Sequence, residues 1–85
     1  MGHSFIIMLR SLTYAQRASR LLERAGIYSS LTKAPQGATV KGCSYGVKVQ
    51  DRYVDYALQV LRGSPLVIGK IFRLEPSGDF SEVDL

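Results

Sequence analysis

An α+β sandwich in the order β-α-β-β-α-β is predicted by three features of this 85-residue chain: four strand-like apolar runs, two amphipathic segments with helical spacing, and chemical stop signals between them. The length allows one small domain, because domains commonly run to roughly 100 to 150 residues, and it excludes a two-domain enzyme. With 46% hydrophobic and 21% charged residues, the chain has enough apolar surface to bury a core rather than remain disordered.

Residues 1–4 read as an expression scar or frayed start, with no role for His3. Phe5-Ile6-Ile7-Met8-Leu9 is a continuous apolar run, as in a central strand, closed by Arg10-Ser11. Ala15, Ala18, Leu22 and Ala25 then recur at helical spacing, with Gln16, Arg17, Arg20, Glu23 and Arg24 on the opposite side. Ser11 or Thr13 caps this helix, Thr13 with Gln16 having capping-box spacing, and Gly26 ends it in the left-handed conformation.

Ile27 to Thr32 is rich in β-branched, aromatic and hydroxyl residues, which favours a second strand that stops near Ala34, because Pro35 blocks its ladder. Pro35 to Ser44, with Gly37 and Gly42, reads as a loop at the end of the sheet. Tyr45, Val47 and Val49 alternate with Gly46, Lys48 and Gln50, the period of a half-buried third strand. Asp51 caps a second helix with Val54, Ala57, Leu58 and Leu61 inward, which Gly63 and Pro65 terminate. Leu66 to Leu74 is the last strand, placing Leu66, Ile68, Phe72 and Leu74 on one face with Lys70 interrupting them.

Right-handed crossovers turn this order into a ferredoxin-like sandwich, one four-stranded antiparallel sheet with both helices on one face. The domain spans residues 5–75. Residues 76–85 form an acidic C-terminal tail, mobile unless Phe80 or Val83 docks. The apolar residues of the first strand, Ile6 and Met8 as well as Phe5, Ile7 and Leu9, then leave an exposed strip on the helix-free face. Such a strip favours a homodimer.

Eleven Lys plus Arg against seven Asp plus Glu give a formal charge of +4, which favours anionic partners without the density of a dedicated nucleic-acid binder. One cysteine excludes an intramolecular disulfide and any site built on several thiolates, and with a single histidine no metal or other cofactor is expected. No apolar run approaches the ~20 residues of a membrane span, and no secretory leader is evident, so a cytoplasmic, reducing setting is expected.

Gly42-Cys43-Ser44 is the strongest chemical candidate. The small neighbours Gly42 and Gly46 leave the sulfur accessible, while Lys41 and Lys48 favour the thiolate over a thiol whose free pKa is ~8.5. The same cysteine equally fits the role of a small buried hydrophobe. Other chemistries lack their residues. A hydrolase with an arginine-lined phosphate loop and a water-positioning asparagine has no asparagine to use. An RNA-recognition sheet needs an aromatic pair in a basic motif, and Phe5 with Tyr45 falls short of one. Arg10, Arg17, Arg20 and Arg24 can bind phosphate, but the last three read more simply as the solvated face of one helix.

The Leu21-Leu22 to Ala25-Gly26 helix end, the Ala34-Pro35 step and the Gly42-Cys43 step before the third strand resemble the selenium/sulfur carrier-like family of small bacterial proteins, over roughly Ser4 to Leu74. The resemblance implies that Cys43 accepts persulfide sulfur or selenium; Lys41, Gly42, Ser44 and Lys48, neighbours in the sequence, are then expected around the substrate. It also implies a sulfur or selenium donor protein as partner, such as a cysteine desulfurase. Members usually carry glycine directly after the cysteine; Ser44 departs from this, and its side chain narrows the approach of a partner's sulfur. One thiol suffices for carriage, whereas a dithiol oxidoreductase needs a resolving cysteine that this chain lacks. A second class of function remains open: a non-enzymatic regulatory or assembly module that pairs through the sheet face, with room for a small ligand at the interface.

Overall fold

Alternation along the first apolar run organises the molecule, sending Phe5, Ile7 and Leu9 to one face of a sheet and Ile6 and Met8 to the other. The structure, a computed structural model, describes residues 3–35, 37 and 45–85. Strand β1 (Ser4–Leu9) is central and lies antiparallel to both of its neighbours, β3 (Tyr45–Gln50) and β4 (Ile71–Leu74). Its five apolar residues are all buried, which is what a continuous run in a strand packed on both faces requires.

Helix α1 (Leu12–Arg24) starts at Ser11, whose side-chain oxygen accepts the Tyr14 N–H at 3.3 Å. Because the helix begins at Leu12, Thr13 lies within its first turn and the capping box is not used. At the other end Gly26 takes φ 82°, Ile27 N–H donates to the Leu22 carbonyl at 2.8 Å, and Gly26 N–H donates to that of Glu23 at 3.0 Å. This is a Schellman closure, with Leu22 and Ile27 both buried beneath it. Using Ile27 in the cap shortens the second strand to β2 (Ser30–Lys33) and leaves Tyr28 exposed.

Asp51 does not cap the second helix. It opens a 3-10 turn (Asp51–Tyr53), its N–H donating to the His3 carbonyl at 3.0 Å, and α2 (Val54–Arg62) follows from Tyr53 with no side-chain cap. The expected inner face holds: Val54, Ala57, Leu58 and Leu61 are all buried.

The last strand departs from its sequence reading for a physical reason. Met8 N–H donates to the Lys70 carbonyl at 2.9 Å, while the Met8 carbonyl accepts from Gly69 N–H at 2.7 Å, so two residues stand opposite one, as in a β-bulge. The extra residue reverses the alternation. Leu66 and Ile68 therefore join Ile71 against the helix-side core, whereas Phe72 and Leu74 lie on the opposite face. Regular strand begins only at Ile71.

Residues 76–85 contain a fifth strand, which corrects the expected four-stranded sheet. Glu75 N–H donates to the Asp79 carbonyl at 2.8 Å and Gly78 takes φ 99°, closing a turn that returns β5 (Phe80–Val83) along β4. Both residues named as possible docking points are half-buried, Val83 against the helix-side core and Phe80 on the other face. The fold is thus α+β, two helices and a five-stranded antiparallel sheet in the order β2-β3-β1-β4-β5, in which β5 is an edge strand beyond the four expected.

Both helices pack on the face of Phe5, Ile7 and Leu9. On the opposite face Ile6, Met8 and Phe72 form a second small core with Ala34, Leu74 and Phe80 around it. The expected exposed apolar strip of the first strand is therefore absent: Ile6 is 3% exposed and Met8 fully buried. Among the described residues no helix is long and apolar enough to cross a membrane.

Candidate functional site

Three strands end together at one rim of the sheet, because Tyr45 at the start of β3 pairs with Leu9 at the end of β1 and with Lys33 at the end of β2. Arg10 and Ser11 leave β1 at this rim and lead into α1, so the capped first turn of the helix lies beside the point where β3 begins. The β2–β3 connection, residues 34–44, starts and finishes here.

Of the residues singled out from the sequence, Lys41, Gly42, Cys43 and Ser44 lie outside the described residues. Lys48 is described. It sits half-buried on the helix-free face of β3, paired across the sheet with Ile6 on one side and Ser30 on the other, and makes no ion pair among the described residues.

Gly46 has a role the sequence reading did not assign. It is buried within β3 opposite Met8, and a Cβ there would stand 2.5 Å from the Ile7 carbonyl oxygen and 3.0 Å from the Met8 sulfur. Its small size serves the contact between strands, as glycine in a strand often does where another backbone approaches closely.

Beside this rim, on the helix-free face, a groove of about 490 Å³ runs from Thr32, Lys33, Ala34 and Pro35 across Ile6 to Leu74, Gly78 and Phe80. Its floor is apolar, formed by Ile6, Ala34, Leu74 and Phe80. Sequence reasoning missed it because it depends on β5. The available signal was Phe80, the one aromatic residue of an acidic tail, placed by the β4–β5 hairpin 5.7 Å edge-on from the Phe72 ring.

Phe5 and Tyr45 both face the helices, so neither ring is presented on the helix-free surface where an RNA base would stack. Among the described residues no group of three or more His, Cys, Asp or Glu side chains is placed to hold a metal ion. Arg17, Arg20 and Arg24 are exposed along α1.

Compared with protein-family models, residues 4–73 match the family described as Putative Se/S carrier protein-like, a span that takes in both helices, β1 to β3 and the Gly42-Cys43 step. No curated protein and no solved structure gives a significant match.

Proposed function

Because this chain belongs to the Se/S carrier protein-like family, matched over residues 4–73, we propose that it carries sulfur or selenium on the thiol of Cys43. The family match across the Gly-Cys step is the observation that carries the reading. The Cys43 thiolate attacks the terminal sulfur of a donor persulfide, R–S–S–H. The bond between the donor's two sulfurs breaks, R–S⁻ leaves, and Cys43 holds –S–SH. An acceptor thiolate then takes the same atom and Cys43 returns as thiolate. The sulfane sulfur is passed on with no net oxidation, so no redox cofactor and no second cysteine are needed. A perselenide donor delivers selenium by the same exchange.

The surroundings support this use of the rim. Tyr45, two residues beyond Cys43, is anchored on both sides by Leu9 and Lys33, so the connection ends on rigid backbone. In this reading Gly42 flanks the sulfur with little bulk, and Lys41 and Lys48 are the charges that would favour thiolate. The donor in this reading is a persulfide-forming protein such as a cysteine desulfurase, and the setting is the reducing cytoplasm, where a free thiol persists.

The test is mass spectrometry after incubation with a persulfide donor. Wild-type protein is expected to gain about 32 Da per sulfur taken up, or the heavier selenium increment, in a form that dithiothreitol removes. Cys43→Ser is expected to stay folded and gain nothing. A wild-type protein that resists alkylation until it is denatured has Cys43 as core packing, and the carrier reading then fails.

The second reading, a regulatory or assembly module that forms a homodimer through the sheet face, loses its first ground now that the apolar residues of β1 are buried. What remains for it is the half-buried rim of Leu74 and Phe80 along the groove. Light scattering at high concentration reads self-association directly.

A further inference from the structure

A cavity of about 480 Å³ lies on the outer side of α1, far along the chain from the thiol, and its walls divide by chemistry. Arg17, Arg20 and Arg24 supply three guanidinium groups; Leu21, Pro65 and Leu66 supply an apolar floor where the chain leaving α2 passes the helix; Tyr14 closes one end. The Arg17 guanidinium lies 5.7 Å from the centre of the Tyr14 ring. None of the three arginines makes an ion pair among the described residues, whose carboxylate pairs go instead to His3, Lys70 and Arg73.

The spacing of the arginines is costly and therefore informative. Arg17 and Arg20 are three apart and Arg20 and Arg24 four apart, the separations at which like charges on a helix repel. The nearest carboxylate in sequence, Glu23, is on the same helix but does not line the cavity. Seven residues of α-helix carry Arg17 to Arg24 over about 10.5 Å, too long for one phosphate group and too short for a duplex track. A single strand is held by successive bases stacked on aromatic side chains, and this cavity offers one, Tyr14.

We propose that this face of α1 binds an acidic segment of a partner protein, with carboxylates placed along the three guanidiniums and one apolar side chain seated on Leu21, Pro65 and Leu66. Arginine suits that task because its planar fork grips carboxylates in pairs of hydrogen bonds, and the apolar seat adds selectivity that charge alone lacks. The surface does not depend on Cys43 and stands whether or not the carrier reading does.

The probe is a labelled synthetic peptide of alternating glutamate and serine with one central leucine, titrated into the whole chain, with anisotropy giving affinity and backbone amide shifts giving location. Binding is expected to move the amides of residues 14–24, Ser64 and Leu66 and to weaken about tenfold or more in Arg20→Glu, a surface change whose fold the same spectra check. A peptide with serine replacing the leucine is expected to bind about tenfold less tightly, as loss of one seated aliphatic side chain implies. Arg62→Glu, on α2 and outside the cavity, is expected to bind as wild type does. The proposal is overturned by amide shifts elsewhere, by equal binding of the leucine and serine peptides, by no effect of Arg20→Glu, or by a single-stranded oligonucleotide or inorganic phosphate occupying the site where the peptide does not.

Discussion

Met8 and Gly46 face one another across β1 and β3, and the sulfur of Met8 occupies the space that a side chain at position 46 would need. A Cβ on Gly46 also meets the Ile7 carbonyl oxygen at 2.5 Å, so the two strands must part to admit it. Gly46→Ala is expected to lower stability by about 1–3 kcal/mol, the range for overpacking a tight site. Urea denaturation measures this. Because the nearer obstacle is backbone, adding Met8→Ala should not rescue the variant; full rescue would show that the sulfur alone was the obstacle.

Gly26 tests backbone conformation without any contact. A Cβ there has no neighbour within 4 Å, yet φ is 82°, a value that side chains disfavour. Gly26→Ala should therefore cost about 1 kcal/mol and Gly26→Asn less, since asparagine tolerates the left-handed region. Equal midpoints for Ala and Gly in thermal or urea melts would mean that α1 does not close as described.

The status of β5 can be read from Phe80. Its ring meets that of Phe72 edge-on and helps to cover the small core on the helix-free face. Phe80→Ala should cost about 1–3 kcal/mol, from an aromatic pair worth about 0.5–1.5 kcal/mol together with lost burial. Hydrogen exchange supplies the second measure. Amides paired between β4 and β5 should be protected in wild type and exchange faster in the variant; free exchange in wild type would mark a mobile tail.

A fourth expectation concerns thiol chemistry. A positive charge stabilises thiolate, so a contribution from Lys48 puts the pH midpoint of Cys43 alkylation below the free-thiol value of about 8.5. Removing the charge then moves the midpoint upward. Lys48→Gln should slow iodoacetamide labelling at neutral pH while leaving the rate at high pH unchanged. An identical pH profile in the variant would confine the electrostatic role to Lys41 or to neither lysine.

Helical periodicity was legible in the sequence, whereas the Thr13 capping box and the Asp51 cap were not realised. The spacing of Ala15, Ala18 and Leu22 and of Val54, Ala57, Leu58 and Leu61 defined the buried faces of both helices, since helical periodicity is a property of the chain itself. Gly26 announced the end of α1 because only its backbone takes that conformation cheaply. Gly42-Cys43 carried the family resemblance on sequence alone, and the family match covers it.

Tertiary structure decided what depends on partners distant in sequence. The bulge opposite Met8 reversed the faces of Leu66 and Ile68, an outcome fixed by hydrogen bonds to β1 rather than by alternation within the last run. Phe80 became part of a core because Phe72, eight residues earlier, was turned to meet it, and that contact made a strand of an acidic tail. The basic side of α1 read as a solvated face until Pro65 and Leu66, delivered from beyond α2, gave its arginines an apolar floor. Local patterns reveal which side chains need burial or charge, but the surface that answers them is assembled only when separate parts of the chain pack together.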